Sequence, residues 1–215
     1  MASYISVTEF QQYNPELDFT AYSTATLSGV ISRASKWVDN FAQTPLDLRA
    51  VTNEKTEAVV NSNGNLIIHT RQYPIQSVSA ISLKLGTASY TLSLADGNGT
   101  ARYDIGSRGT YILYPFQEVA FTGTLSIRNF YQLRNVNIFS VISYIAGYET
   151  IPDDIKDACN LIAKDIFIRQ SNPMDLSNLT QGGITVSYRP RDDGDSDSVR
   201  DAKQILQDYR RPYGV

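Results

Sequence analysis

The chain has 215 residues, enough for one large domain or two small ones, and its 42% hydrophobic content is ordinary for a globular protein. A net charge of −3 gives no bulk attraction to nucleic acid, and a lone cysteine, Cys159, excludes an intrachain disulfide. No apolar run approaches the roughly 20 residues of a bilayer-spanning helix, and the opening MASYISVTEF lacks a basic-then-apolar signal pattern, so a soluble protein made in a cytoplasm is expected.

The first predicted helix lies between Tyr4 and Tyr13, where Val7, Phe10 and Gln11 are one turn apart. Ser6 or Thr8 is its cap, with Glu9 three residues after Ser6. Asn14-Pro15 breaks it. A second helix opens at Ser23 or Thr24. Leu27, Val30, Ile31, Ala34, Trp37, Val38 and Phe41 fall on one face of it, and Pro45 marks its end. Trp37, the only tryptophan, is expected as a core anchor.

From about Ala50 the texture changes to short alternating segments. Glu57 to Val60 and Leu66 to Thr70 flank the glycine-containing loop Asn61 to Asn65, which predicts a hairpin. Pro74 to Val78 leads into Ser79 to Leu85, where Ile81, Leu83 and Leu85 alternate with Ser82 and Lys84; Tyr90, Leu92 and Leu94 alternate again. Asp96-Gly97-Asn98-Gly99 is a turn, and Arg102 to Ile105 and Thr110 to Tyr114 flank Gly106-x-x-Gly109. Val119 to Phe121, Gly123 to Tyr131 and Val136 to Ile145 complete the set. The spacing predicts an antiparallel β-domain over residues 51–145, a small barrel or sandwich.

The strand that ends at Ile145 runs into Gly147, which turns the backbone, and Pro152 suits the first turn of a helix. Asp153 and Asp154 complement the dipole there. Ile155, Ala158, Cys159, Ile162 and Ile166 then recur at helical spacing, widened by Leu161, Phe167 and Ile168, so a central, surrounded helix is predicted with Cys159 as a small buried apolar residue. Ser171-Asn172-Pro173 stops it. Met174 to Gln181 reads as a polar, mobile loop, Gly183 to Tyr188 as a strand or extended arm, and Arg189 to Asp193 as a polar turn. Asp195 or Ser196 caps a last helix with Val199, Ala202, Leu206 and Tyr209 on one face. The expected class is α+β. Residues 1–50 and 146–215 form a discontinuous helical bundle domain, interrupted by the β-domain.

Few residues suggest chemistry. His69 has no second imidazole or acid at a ligand or triad spacing. Asp192, Asp193, Asp195 and Asp197 miss the glycine and glutamate positions of a calcium loop, and Asp153 and Asp154 point apart on their helix. No nucleotide-binding or hydrolase motif occurs, so no catalytic residue, metal or cofactor is expected. Only 19% of residues are charged while 14 are tyrosine, a mixture that suits protein interfaces. The tail Tyr209 to Val215 combines Tyr209, Arg210, Arg211, Pro212, Tyr213 and Val215, residue types common in binding hot spots, against the alternative of a frayed terminus. A second functional alternative is a glycan- or small-ligand-binding module that stacks sugars on Tyr90, Tyr103, Tyr111, Tyr114 and Tyr131.

Tyr144-x-Ala146-Gly147-Tyr148, followed by Ile151-Pro152-x-x-Ile155-Lys156-x-Ala158, resembles the signature of head-tail adaptor (connector) proteins of tailed bacteriophages. In that family a strand ends in the Ala-Gly-Tyr element and a proline-started helix follows, with a lysine one turn in. The segment Gly182 to Tyr188 and the run into Tyr209-Arg210-Arg211 also look like the family's C-terminal half. The resemblance implies a helical bundle, in some members carrying a β-domain before the Ala-Gly-Tyr element. It implies a homo-oligomeric ring of twelve copies in the virion neck, under the portal protein and above a downstream neck or tail protein. Genomic DNA would pass through the lumen without sequence-specific binding, with no membrane involved. The family's C-termini dock onto the portal, which makes residues 209–215 the expected docking tail.

Overall fold

The computed structural model describes residues 3–61, 63, 65–85, 88–95, 98–115, 138–171, 178–181, 184–187 and 196–210. The chain divides into two compact units, one of Met1–Gln43 with Ile151–Arg210, the other of Thr44–Thr150.

In the first unit, α1 (Val7–Tyr13) starts in a capping box: the Ser6 hydroxyl accepts from the Glu9 N–H at 3.1 Å and the Glu9 carboxylate accepts from the Ser6 N–H at 2.7 Å. Ser23 caps α2 (Thr24–Ala42), and Gln43 ends it in the left-handed region at φ 63°. Leu27, Val30, Ile31, Ala34 and Val38 are buried as their spacing predicts. Trp37 is not the expected core anchor. It lies at the border of the stripe, half-buried, and stacks on Phe41 with ring centroids 5.5 Å apart. Ser35 and Asp39 are buried in its place, which polar side chains tolerate only when partnered. Tyr4 supplies the partners: its N–H donates to the Ser35 hydroxyl at 3.1 Å and its hydroxyl donates to the Asp39 carboxylate.

α3 (Asp153–Ser171) packs against α2 and against α4 (Asp197–Leu206). Its buried face holds Ile155, Ala158, Cys159, Ile162 and Phe167, while Ile166 is only half-buried. Phe167 gathers an aromatic cluster: Tyr22 at 4.8 Å, Phe19 at 5.2 Å and Phe10 at 6.1 Å between centroids. The Ser196 hydroxyl caps α4, and Val199, Ala202 and Leu206 are buried.

The described residues of the second unit form a seven-stranded antiparallel sheet: β1 (Arg49–Val60), β2 (Asn65–His69), β3 (Ile75–Leu85), β4 (Ala88–Thr91), β5 (Asp104–Ile105), β6 (Tyr111–Pro115) and β7 (Ile138–Ala146). The order is β4-β3-β7-β1-β2-β6-β5. The expected hairpin is β1–β2, with Val60 opposite Leu66. Neither a closed barrel nor a sandwich is present among the described residues: one curled sheet, half a barrel, has β4 and β5 at its edges. The burial of β7 follows its alternation. Ile138, Ser140, Ile142, Tyr144 and Ala146 face a core shared with Leu66, Ile68, Ile81, Leu83 and Ile112, while Phe139 and Ile145 face outward. The polar first half of β1 carries little strand signal, yet pairs with β7 from Arg49 opposite Ala146 onward. The segments Val119 to Phe121 and Gly123 to Tyr131 lie outside the described residues.

In the first unit, β8 (Asn178–Gln181) pairs with β9 (Ile184–Ser187). The second is the predicted strand. The first replaces the last four residues of the loop expected over Met174 to Gln181, because pairing satisfies their backbone groups; Met174 to Ser177 lie outside the described residues.

Candidate assembly site

The Tyr144–Ala158 signature is a set of structural joints. Tyr144 buries its ring in the sheet core. Its hydroxyl donates to Glu54 at 2.8 Å and accepts from the Gln72 N–H at 3.2 Å, while the other Glu54 oxygen accepts from the Arg71 N–H at 2.9 Å. Burial, and then the Glu54 carboxylate, push this phenol above its ordinary range. Gly147 has φ +100°, and a Cβ there would overlap the Asp47 carbonyl. Its N–H donates to Pro74 O at 2.9 Å, its carbonyl accepts from the Gln76 side chain at 2.9 Å, and the Tyr148 N–H donates to Leu46 O at 2.8 Å. Tyr148 is half-buried, and burial pushes its hydroxyl up as well. The Ala-Gly-Tyr element thus laces the end of β7 to the segments before β1 and β3.

Thr150 and Ile151 join the two units in sequence. The Pro152 carbonyl accepts from the N–H groups of Ile155 and Lys156, at 3.1 and 3.2 Å, to start the helix. Ile155 and Ala158 are fully buried. The Lys156 ammonium sits 3.7 Å from Asp153 and 3.9 Å from Glu9, and so links α3 to α1.

The root of the tail is packed against its own helices. After α4 a 3-10 turn, Gln207–Tyr209, carries the chain onward. The Tyr209 hydroxyl donates to Asp154 at 3.3 Å, and the Arg210 guanidinium lies over the Phe41 ring, 5.5 Å from its centroid. The cause is geometric: Tyr209 continues the buried stripe of Leu206 and so reaches α3. Arg211, Pro212, Tyr213 and Val215 lie outside the described residues.

Of the five tyrosines proposed to stack on sugars, the four described ones have separate surroundings. Tyr114 is buried and donates to Ser93 O at 2.7 Å, and the Tyr103 hydroxyl accepts from the Val78 N–H at 3.2 Å. Tyr114 belongs to the sheet core because alternation along β6 turns it inward, and Tyr103, just before β5, packs partly buried against the same core. Tyr111 meets His69 edge-on at 6.0 Å, Tyr90 is on the edge strand β4, and Tyr131 lies outside the described residues. Cys159 is buried, and desolvation pushes its thiol up to about 11, away from nucleophilic use. Asp197 pairs with Arg200, and Asp192, Asp193 and Asp195 lie outside the described residues. Among the described residues no group of three or more His, Cys, Asp or Glu side chains is placed to hold a metal. No described helix is long and apolar enough to cross a membrane.

The described residues therefore define an α+β protein with a helical unit and a curled antiparallel sheet. No family model and no curated protein matches the chain. Solved structures do. A chain from the neck of an empty gene transfer agent (GTA) particle, computed with C6 symmetry, has a TM-score of 0.54 and 13% identity, over 100% of this chain and 95% of that one. A chain from the virion of a native gene transfer agent particle is 14% identical over 98% of this chain and 91% of that one, with a TM-score of 0.49, too low to carry weight. At 13% identity the first likeness establishes a shared fold, and it does so end to end.

Proposed function

We propose that this protein is a structural component of a virion neck, a head-tail adaptor of a tailed phage that performs no reaction. The observation that carries the reading is the end-to-end fold likeness to a chain from a gene transfer agent neck. The Ala-Gly-Tyr joint and the proline-started helix support it independently, since they are the residues of the family resemblance.

On this reading residues 1–50 and 146–215 form the helical bundle, residues 51–145 the β-domain inserted into it, and residues 209–215 the portal-docking tail. Copies assemble side by side into a ring under the portal, extend the DNA channel, and present a surface to the next neck or tail protein. Twelve copies follow from the resemblance, and the six-fold symmetry of the neighbour's particle is compatible with that number. Each contact is weak by itself, and the ring supplies avidity because once one tail docks the others bind at high effective concentration. The mildly acidic chain suits a lumen through which DNA slides without being gripped.

Mixing the full chain with purified portal and measuring particle mass and symmetry tests this. A closed ring seated on the portal is the expected outcome. A chain that remains free of the portal, or catalyses turnover of a substrate, overturns it.

A further inference from the structure

We infer that Tyr209 and Arg210 form a clasp that fastens the root of the C-terminal tail to α2 and α3, so that these two residues position the tail and the residues beyond them make the docking contact. The inference rests on the proposed docking role of residues 209–215, and it divides that tail into a positioning part and a contacting part.

Three observations carry it. First, α4 is anchored up to Leu206, which is fully buried, so the turn that follows starts from a fixed point. Second, the two side chains after that point are engaged on two different helices. The Tyr209 hydroxyl donates to Asp154 in the first turn of α3, and Arg210 lies over Phe41 near the end of α2. Phe41 is itself held by its stack on Trp37, with planes only 5° apart. Third, the backbone becomes extended at Arg210, with φ −80° and ψ 141°, so the chain leaves helical geometry where the second fastening is made. Using Arg210 against a partner would mean giving up its seat on Phe41. Leaving it there holds the root of the tail in one place, which lowers the ordering cost of docking.

The test uses the full chain. Trypsin cuts the Arg210–Arg211 bond but not the bond between Arg211 and Pro212, so mass spectrometry of early digests reads opening at the root of the tail. Tyr209→Phe removes only the hydroxyl, Asp154→Ala removes its acceptor, and Phe41→Leu removes the ring under Arg210. Each is expected to raise cleavage there roughly threefold to tenfold, since losing one modest contact raises the open population by that factor. Unchanged cleavage in all three variants overturns the clasp.

Attachment to purified portal rings separates the clasp from the docking reading. Arg210→Ala is expected to weaken attachment by no more than about tenfold, through a looser tail, while loss of Tyr213 to Val215 abolishes it. If Arg210→Ala abolishes attachment as completely as that truncation, Arg210 is a docking residue and the clasp is overturned. If neither change affects attachment, the docking role fails, and raised cleavage in the three variants still establishes the clasp.

Discussion

Gly147 and Tyr144 show how single residues hold the end of β7. At Gly147 a side chain meets backbone, which cannot step aside, and the positive φ adds strain of its own. Gly147→Ala should therefore destabilise the sheet unit by at least about 2 kcal/mol, measured by denaturant unfolding. Tyr144 makes a different prediction, because its folded phenol holds its proton more tightly than an unfolded one. The associated stability is fully present below the unfolded tyrosine value of about 10 and is lost as pH rises above it toward the folded value. Tyr144→Phe should cost about 1–3 kcal/mol at neutral pH, from the groups it leaves unpaired, and should flatten the alkaline loss of stability. An equally steep loss above pH 10 in the variant would assign the effect to other groups. The sequence marked both residues through the family resemblance, but not the partners Glu54, Gln72 and Asp47, which come from segments 72 to 100 residues away. No periodicity encodes such meetings.

Among the elements, those with local signals were legible and those that depend on partners were not. Ser6 with Glu9, Ser23 and Ser196 announce helix starts because capping satisfies donors within three residues. The first half of β1 is a strand because β7 lies beside it, and Asn178–Gln181 is one because β9 does. The center of α2 reads as apolar, yet Asp39 and Ser35 are buried there and are tolerable only because Tyr4 reaches them. The aromatic cluster around Phe167 likewise joins α3 to α1 and to the segment bearing Phe19 and Tyr22. Phe167→Ala should cost about 3–5 kcal/mol by loss of transfer energy and creation of a cavity. A thermal melt of the variant checks this, and a change below 1 kcal/mol would mean that the cluster closes over the gap.

For the whole molecule, the proposed role is assembly. Removing Arg210 to Val215 takes away the cation–π contact on Phe41 and no described residue of the buried core. The fold should therefore survive with an unchanged circular dichroism spectrum, while attachment to portal rings is abolished. A truncated chain that joins portals at full affinity would refute the docking role. The neck neighbour spans both units, which makes the pair of them, rather than either alone, the object to test.

The sequence by itself determined what depends on neighbours in the chain: the helix starts and stops, the alternating strands, the α+β class, and the Ala-Gly-Tyr and proline signals. The tertiary structure decided what depends on residues far apart: the order of the described strands in one curled sheet, polar residues buried among α-helices, and a tail whose first two residues lie against Asp154 and Phe41. The physical reason is that capping and periodicity act within a few residues, whereas sheet order and buried polar pairs are chosen by whichever distant groups satisfy one another.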